Sequence, residues 1–240
     1  MLKLNISPRI KSKINDFLSR LKDAYADGLV SVVLYGSAAS GEYVDRHSNL
    51  NFLIVLKNTD CESLAKASGF INKFPNFRAL FMTEHYIETS SDIFPIEFLD
   101  LRENNWLLAG KDCLSGIQVD TKNLRFQCEQ ELKIKLLTLR NTYLRIRKNK
   151  AALRELLFRS ITSILHISRN VLRLKGRQPV YRKEDIIREL AVEFQIDAGL
   201  WQKILTGKNK ASKITDSETE KLFADFVREV ERLTDIVDRL

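Results

Sequence analysis

The chain has 240 residues, of which 44 % are hydrophobic and 29 % are charged, and it carries a formal net charge of +8 with a pI near 9.4. This composition is typical of a folded protein and excludes a disordered chain. Three cysteines and three histidines are widely scattered, which predicts neither a disulfide framework nor a zinc site. No apolar run approaches the ~20 residues of a membrane span, and the N-terminus lacks a signal-peptide core, so we expect a cytoplasmic protein without membrane contact.

The first 116 residues alternate predicted helices and strands. Ser7 and Pro8 are typical of a helix start, and the apolar stripe that follows predicts a helix ending at Gly28. A short amphipathic helix is predicted between Cys61 and Phe74. Four apolar, partly β-branched segments predict strands: Val30–Gly36, Asn51–Leu56, Phe77–Met82 and Ile96–Leu101.

The remaining residues, 117–240, contain no convincing strand. Apolar residues recur there at helical spacing, predicting helices over Asn123–Asn149, Ala151–Lys175, Lys183–Phe194, Ala198–Leu205 and from Thr215 to the end. Their apolar seams need one another, which favours an up-and-down bundle. We therefore predict an α+β protein with two domains, a small mixed-sheet domain over 1–116 and an all-α helical bundle over 117–240.

The segment "LYGSAASGEYVDRHSNLNFLIVL", Leu34–Leu56, contains a Gly-Ser turn between two predicted strands. Tyr35-Gly36-Ser37 is followed by eleven residues and then by Asn49-Leu50-Asn51-Phe52. This pattern resembles the signature of the DNA polymerase beta nucleotidyltransferase superfamily, in which two carboxylates occupy the positions of Asn49 and Asn51. The order of elements further resembles the bacterial aminoglycoside nucleotidyltransferases.

The resemblance implies a nucleotide-binding site and a metal site at named positions. Gly36, Ser37, Asn49 and Asn51 stand at the family's nucleotide-binding positions. Asn49, Asn51 and Glu97 stand at its metal-binding positions. Glu97 is included because the family places a third, catalytic carboxylate on a later strand, and Glu97 lies in a predicted strand. Two Mg²⁺ ions clamp the attacking and leaving oxygens in such enzymes, and they require anionic oxygen ligands.

Asparagine at both positions of the carboxylate pair removes two negative charges from the metal site. An amide oxygen does not offset the charge of two dications, so we expect a catalytically degenerate centre. Glu42 and Asp45 are alternative acids for a displaced metal site, although Asp45 is poorly placed. Asp100 has the opposite strand parity from Glu97, which predicts that it faces away.

The helical half is strongly basic, with sixteen Lys and Arg against three acidic residues between Lys133 and Arg188. Lys133, Arg140 and Arg147 repeat every seven residues and lie along one line of the first long helix. Such a line suits nucleotide phosphates, an acidic protein or nucleic acid, and equally a solvated bundle face. Aromatic residues are not interleaved with these cations, so sequence-specific nucleic-acid binding is not expected.

Three functional hypotheses follow. The first is a nucleotidyltransferase-fold protein with a degenerate centre that acts by binding a nucleotide or a partner. The second is an active transferase that uses Mg²⁺ and a nucleoside triphosphate to transfer a nucleotide to a small molecule or a protein. The third is a basic adaptor or a component of a toxin–antitoxin pair, in which minimal members of the family take part.

Overall fold

The structure is a computed structural model that describes residues 6–40, 49–209 and 213–240. These ranges contain helices and one sheet, which define an α+β protein, as predicted. The helices are α1 Pro8–Tyr25, α2 Ser37–Ser40, α3 Cys61–Ile71, α4 Glu84–Ser90, α5 Pro95–Glu103, α6 Thr121–Ile146, α7 Lys150–Leu174, α8 Lys183–Phe194, α9 Ala198–Lys208 and α10 Asp216–Asp238. The strands are β1 Leu29–Tyr35, β2 Leu50–Leu56, β3 Phe77–Met82 and β4 Asn105–Gly110.

The chain divides into two compact units, Met1–Val119 and Asp120–Leu240. The first contains the sheet, whose strand order is β3-β2-β1-β4. β1 pairs antiparallel with both β2 and β4, whereas β2 pairs parallel with β3. The apolar, β-branched sequence of β1 and β2 explains why the centre of β1 and all but one residue of β2 are buried.

Side chains on the two faces of the sheet enter two separate cores, because successive residues of a strand point to opposite faces. One face packs against α1 and α3 through a cluster that includes Phe17, Leu34 and Phe52. The other face contributes Val33, Leu53 and Val55 to a second cluster with apolar side chains of α4 and α5. The second face also carries two polar residues, Tyr35 at the end of β1 and Asn51 near the start of β2.

The strand predicted over Ile96–Leu101 is wrong, since these residues lie within α5. Pro95 at the first turn suits a helix start, and Ile96, Phe98, Leu99 and Leu101 are buried in the helix. The fourth strand is instead β4, whose residues are half-buried or exposed and therefore give a weak apolar signal. The segments Phe77–Met82 and Lys183–Phe194 match their predictions to the residue.

The second unit is helical throughout the residues that the structure describes, as the sequence predicts. α6 and α7 pack together and α10 packs on both. Polar caps define the helix starts: Asp120 accepts from the Lys122 amide at 2.6 Å, and Asn149 from the Ala152 amide at 3.0 Å. Thr215 and Glu218 form a capping box at the start of α10. No helix in the described ranges has the length and apolar character needed to cross a bilayer.

The aromatic cluster around Phe17 yields a stability prediction. Phe17 is fully buried, and its ring centroid lies 5.0 Å from those of Phe52 and Phe74 and 5.3 Å from that of Phe77. Phe17→Ala leaves a cavity that these rings cannot refill, so we expect a loss of about 3–5 kcal/mol in the free energy of unfolding, measured by urea denaturation. The control, Phe126→Ala, removes a ring that is 60 % exposed and should change stability by about 0.5 kcal/mol or less. Similar losses in the two variants would contradict the assignment of Phe17 to the core.

Candidate functional site

The Gly-Ser turn follows β1 and is held by hydrogen bonds of its backbone. The Gly36 amide donates to the Asn104 carbonyl at 3.2 Å, and the Gly36 carbonyl accepts from the Ala39 amide at 2.9 Å. The Trp106 indole donates to the Ala39 carbonyl at 3.2 Å, which ties the turn to β4. Gly36 has a φ of +76°, a conformation that glycine adopts without steric cost. These bonds therefore fix the turn at this end of the sheet.

Asn51 lies directly against this turn. A Cβ atom at Gly36 would come within 3.0 Å of the Asn51 side-chain nitrogen, and Asn51 pairs with Tyr35 across the β1–β2 ladder. Asn51 is half-buried, whereas Asn49 is exposed and immediately precedes β2. Ser37 is half-buried at the start of α2. The structure thus brings Gly36 and Asn51 together, with Asn49 two residues before Asn51.

The strand register places four polar side chains in one row across the sheet. Asn51 pairs with Arg78 on β3 and with Tyr35 on β1, and Tyr35 pairs with Asn105 on β4. Residues paired in this way point to the same face, and neighbouring strands are ~4.8 Å apart. The row crosses the sheet at the end where β1 finishes and where β2 and β3 begin.

Arg78 was not predicted as a site residue. It is exposed, and its guanidinium donates to the Pro75 carbonyl at 3.2 Å, which directs it toward the sheet end that carries the Gly36 turn. Among the described residues, no carboxylate forms an ion pair with it. Arg78 is therefore the charged residue of the row, and the charge is positive.

The two residues at the other end of the row have structural roles. Asn105 donates to the Leu101 and Arg102 carbonyls at 2.8 and 2.9 Å, which satisfies the C-terminal end of α5. Burial of the Tyr35 phenol raises its pKa, so the hydroxyl is neutral at physiological pH. Neither residue supplies a negative charge to the row.

Glu97 does not occupy the position from which its role was predicted. It is an exposed residue in the first turn of α5, not a residue of a strand beside β2. On a helix, Glu97 and Asp100 are three residues apart and share a face, so the opposite-face prediction for Asp100 is also wrong. The strand that pairs with β2 on the side away from β1 is β3, and it has Arg78 beside Asn51.

The residues of this site do not fit a magnesium centre. Mg²⁺ requires anionic oxygen ligands, whereas Asn49 and Asn51 offer amides and Arg78 only N–H donors. No group of three or more His, Cys, Asp or Glu residues within metal-binding reach occurs in the described ranges. Glu42 and Asp45, the alternative acids, lie outside the described residues.

The periodic cations of α6 pair with acids of α10. Arg140 meets Glu231 at 2.6 Å, Arg147 meets Glu220 at 3.7 Å, and Lys133 meets Asp238 at 3.5 Å. The Lys150 ammonium meets Glu220 at 2.5 Å. These acids lie outside the basic segment in sequence, so the segment's charge is partly compensated within the second unit.

A cleft of about 550 Å³ lies in the first unit near the opposite end of the sheet, where Gly110 pairs with Ser31. Lys111 and Glu84 form an ion pair in its wall, and the hydrogen bond from Lys111 lowers the pKa of the Glu84 carboxyl. Burial, with help from Glu84, raises the pKa of the Cys113 thiol, which keeps it protonated. None of the residues predicted from the Gly-Ser motif lines this cleft.

The sheet and the helices of this chain form an α+β fold that is shared with a solved adenyltransferase. The crystal structure of the spectinomycin adenyltransferase AAD(9) from Enterococcus faecialis, with ATP and spectinomycin, is similar to this chain with a TM-score of 0.60. The similarity covers 92 % of this chain and 99 % of that chain at 12 % sequence identity, so it establishes the fold. No family model matches the sequence, and no curated protein matches it.

The contact between Gly36 and Asn51 yields a second prediction. Gly36→Ala should cost about 1–2 kcal/mol of stability, because alanine is strained at positive φ, and it should also displace the Asn51 amide. Gly176→Ala is the matched control: Gly176 has a φ of +71°, and an added Cβ there would meet nothing within 4 Å, so this variant shares only the strain. In ¹H–¹⁵N spectra, the Asn51 side-chain signals should shift in the first variant alone. Unchanged Asn51 signals in Gly36→Ala would contradict the contact.

Proposed function

We propose that this protein uses its nucleotidyltransferase fold to bind a nucleotide and does not catalyse ordinary magnesium-dependent nucleotidyl transfer. The observation that carries the proposal is the composition of the row at the sheet end. Where the family resemblance implies carboxylates, the chain has Asn49 and Asn51, and the β3 residue paired with Asn51 is Arg78.

The physical argument concerns the charge on that row. Two Mg²⁺ ions bring four positive charges, which the carboxylates and the substrate phosphates must offset together. Here the four side chains of the row, Arg78, Asn51, Tyr35 and Asn105, contribute no negative charge and one positive charge. A unit charge repels another ~4 Å away by about 4 kcal/mol near a protein surface, and a dication by about twice that. Magnesium is therefore disfavoured beside Asn51.

The retained turn supports nucleotide binding as the surviving role. Gly36 and Ser37 stand at the family's phosphate-binding positions, and the turn is rigidly attached to the sheet. The structure of AAD(9) contains ATP, so ATP is the first nucleotide to test on this protein. Comparing ATP with GTP in the same binding assay tests the base preference.

The first test compares binding with turnover. Calorimetric titration with ATP and GTP should give binding that does not require Mg²⁺, because the row carries a cation in place of metal ligands. Pyrophosphate release, measured with Mg²⁺ and a panel of aminoglycosides, should stay at the background of a heat-denatured sample. Magnesium-dependent pyrophosphate release that disappears in Glu97→Ala would overturn the proposal and support an active transferase.

The second test attempts to rebuild the metal site. The triple variant Asn49→Asp, Asn51→Asp, Arg78→Glu should gain Mg²⁺ binding, measured by calorimetry in the presence of ATP. The double variant Asn49→Asp, Asn51→Asp should gain less, because Arg78 pairs with a new carboxylate beside it. Equal, undetectable Mg²⁺ affinity in both variants would mean that the ancestral metal site lies elsewhere.

A further inference from the structure

We propose that the Arg78 guanidinium binds a phosphate group of the ligand directly, at the place where an active nucleotidyltransferase would hold metal. The site consists of Arg78, Asn51 and the Gly36-Ser37 turn, and its ligand class is a nucleoside polyphosphate that is free of magnesium. This inference rests on the proposed function and adds to it the residue and the charge state of the ligand.

The register places these groups within reach of one phosphate. Arg78 and Asn51 are cross-strand neighbours on one face, ~5 Å apart at the backbone, and the Asn51 amide nitrogen lies against Gly36. The hydrogen bond from the Arg78 guanidinium to the Pro75 carbonyl holds the guanidinium at the same end of the sheet as the turn. A phosphate at this end of the sheet, beside the turn, can therefore meet both the guanidinium and the Asn51 amide.

The donor chemistry of Arg78 suits phosphate. A guanidinium has five N–H donors in a planar fork that matches two phosphate oxygens, and one terminal nitrogen is bonded to Pro75. The Asn51 amide adds a neutral donor beside it. In a metal-dependent member of the family, a carboxylate at the position of Asn51 would instead repel phosphate, and the metal would have to bridge the two.

An exposed apolar side chain next to Arg78 favours a ligand with an organic part over inorganic phosphate. Leu80 is two residues further along β3 on the same face, ~6.6 Å from Arg78 along the strand, and it is 39 % exposed. A sugar or base attached to the bound phosphate can cover it. ATP should therefore bind more tightly than tripolyphosphate, and Leu80→Ala should reduce that difference.

The experiment is calorimetric titration of the full chain with ATP, tripolyphosphate and adenosine in EDTA, and with ATP in excess Mg²⁺. ATP and tripolyphosphate should bind without metal, and adenosine should not bind measurably. Excess Mg²⁺ should weaken ATP binding, because the metal neutralises the phosphates that Arg78 recognises. Arg78→Glu should reduce ATP affinity about ten- to a hundredfold, the range for a hydrogen bond to a charged group.

Lys73→Glu is the matched control, since it reverses one exposed charge five residues before Arg78 and should leave affinity unchanged. Arg78→Lys keeps the charge without the fork and should give an intermediate loss. Arg78→Gln replaces Arg78→Glu if the reversal impairs folding, which circular dichroism would detect. Equal affinities of the Arg78 and Lys73 variants for ATP would overturn this inference alone, because ATP would then bind without help from Arg78. Absence of ATP binding in EDTA, or magnesium-dependent pyrophosphate release, would overturn the proposed function and this inference with it, so the two failures are distinguishable.

Discussion

The pairing of β1 with a strand on each side is the constraint on which the candidate site depends. β1 is bonded to β2 and β4, and its apolar residues enter the cores on both faces of the sheet. A slip of one residue in either ladder would turn these side chains to the opposite faces. The register is therefore fixed by burial, and with it the position of Tyr35 beside Asn51 and Asn105. The packing of the core therefore sets the positions of the site residues.

The sequence predicted the part of this site that depends on local order along the chain. A glycine after a buried strand and a second strand at a set spacing are local features, and the structure places Gly36 beside Asn51. The sequence did not predict Arg78 as a site residue, because no local pattern encodes the parallel pairing of β2 with β3. The resemblance implied a third carboxylate on a later strand, and Glu97 is an acid in a segment predicted as a strand. The apolar run that contains Glu97 is too short for periodicity to separate a strand from a buried helix.

The charge of the helical half illustrates the same limit. A seven-residue spacing correctly places Lys133, Arg140 and Arg147 along one line of α6. The acids that meet them belong to α10, about 70 to 105 residues later in the chain, and only tertiary packing brings them close. Exposed ion pairs of this kind contribute little to stability each. They do lower the positive potential of the α6 face that carries these cations, so this face attracts anions less strongly than the sequence alone suggests.

The fold and the metal chemistry of a nucleotidyltransferase make separable demands on the sequence. Asn49 and Arg78 are exposed, and Asn51 is half-buried at the end of a strand, so none of them fills the core. A carboxylate or an amide at the positions of Asn49 and Asn51, or a guanidinium at that of Arg78, changes the local potential without creating a cavity. The same exchange is decisive for a dication, whose binding depends on the sign of the charge a few ångströms away. A chain can therefore keep this fold while its ligand changes from a metal complex to a bare anion.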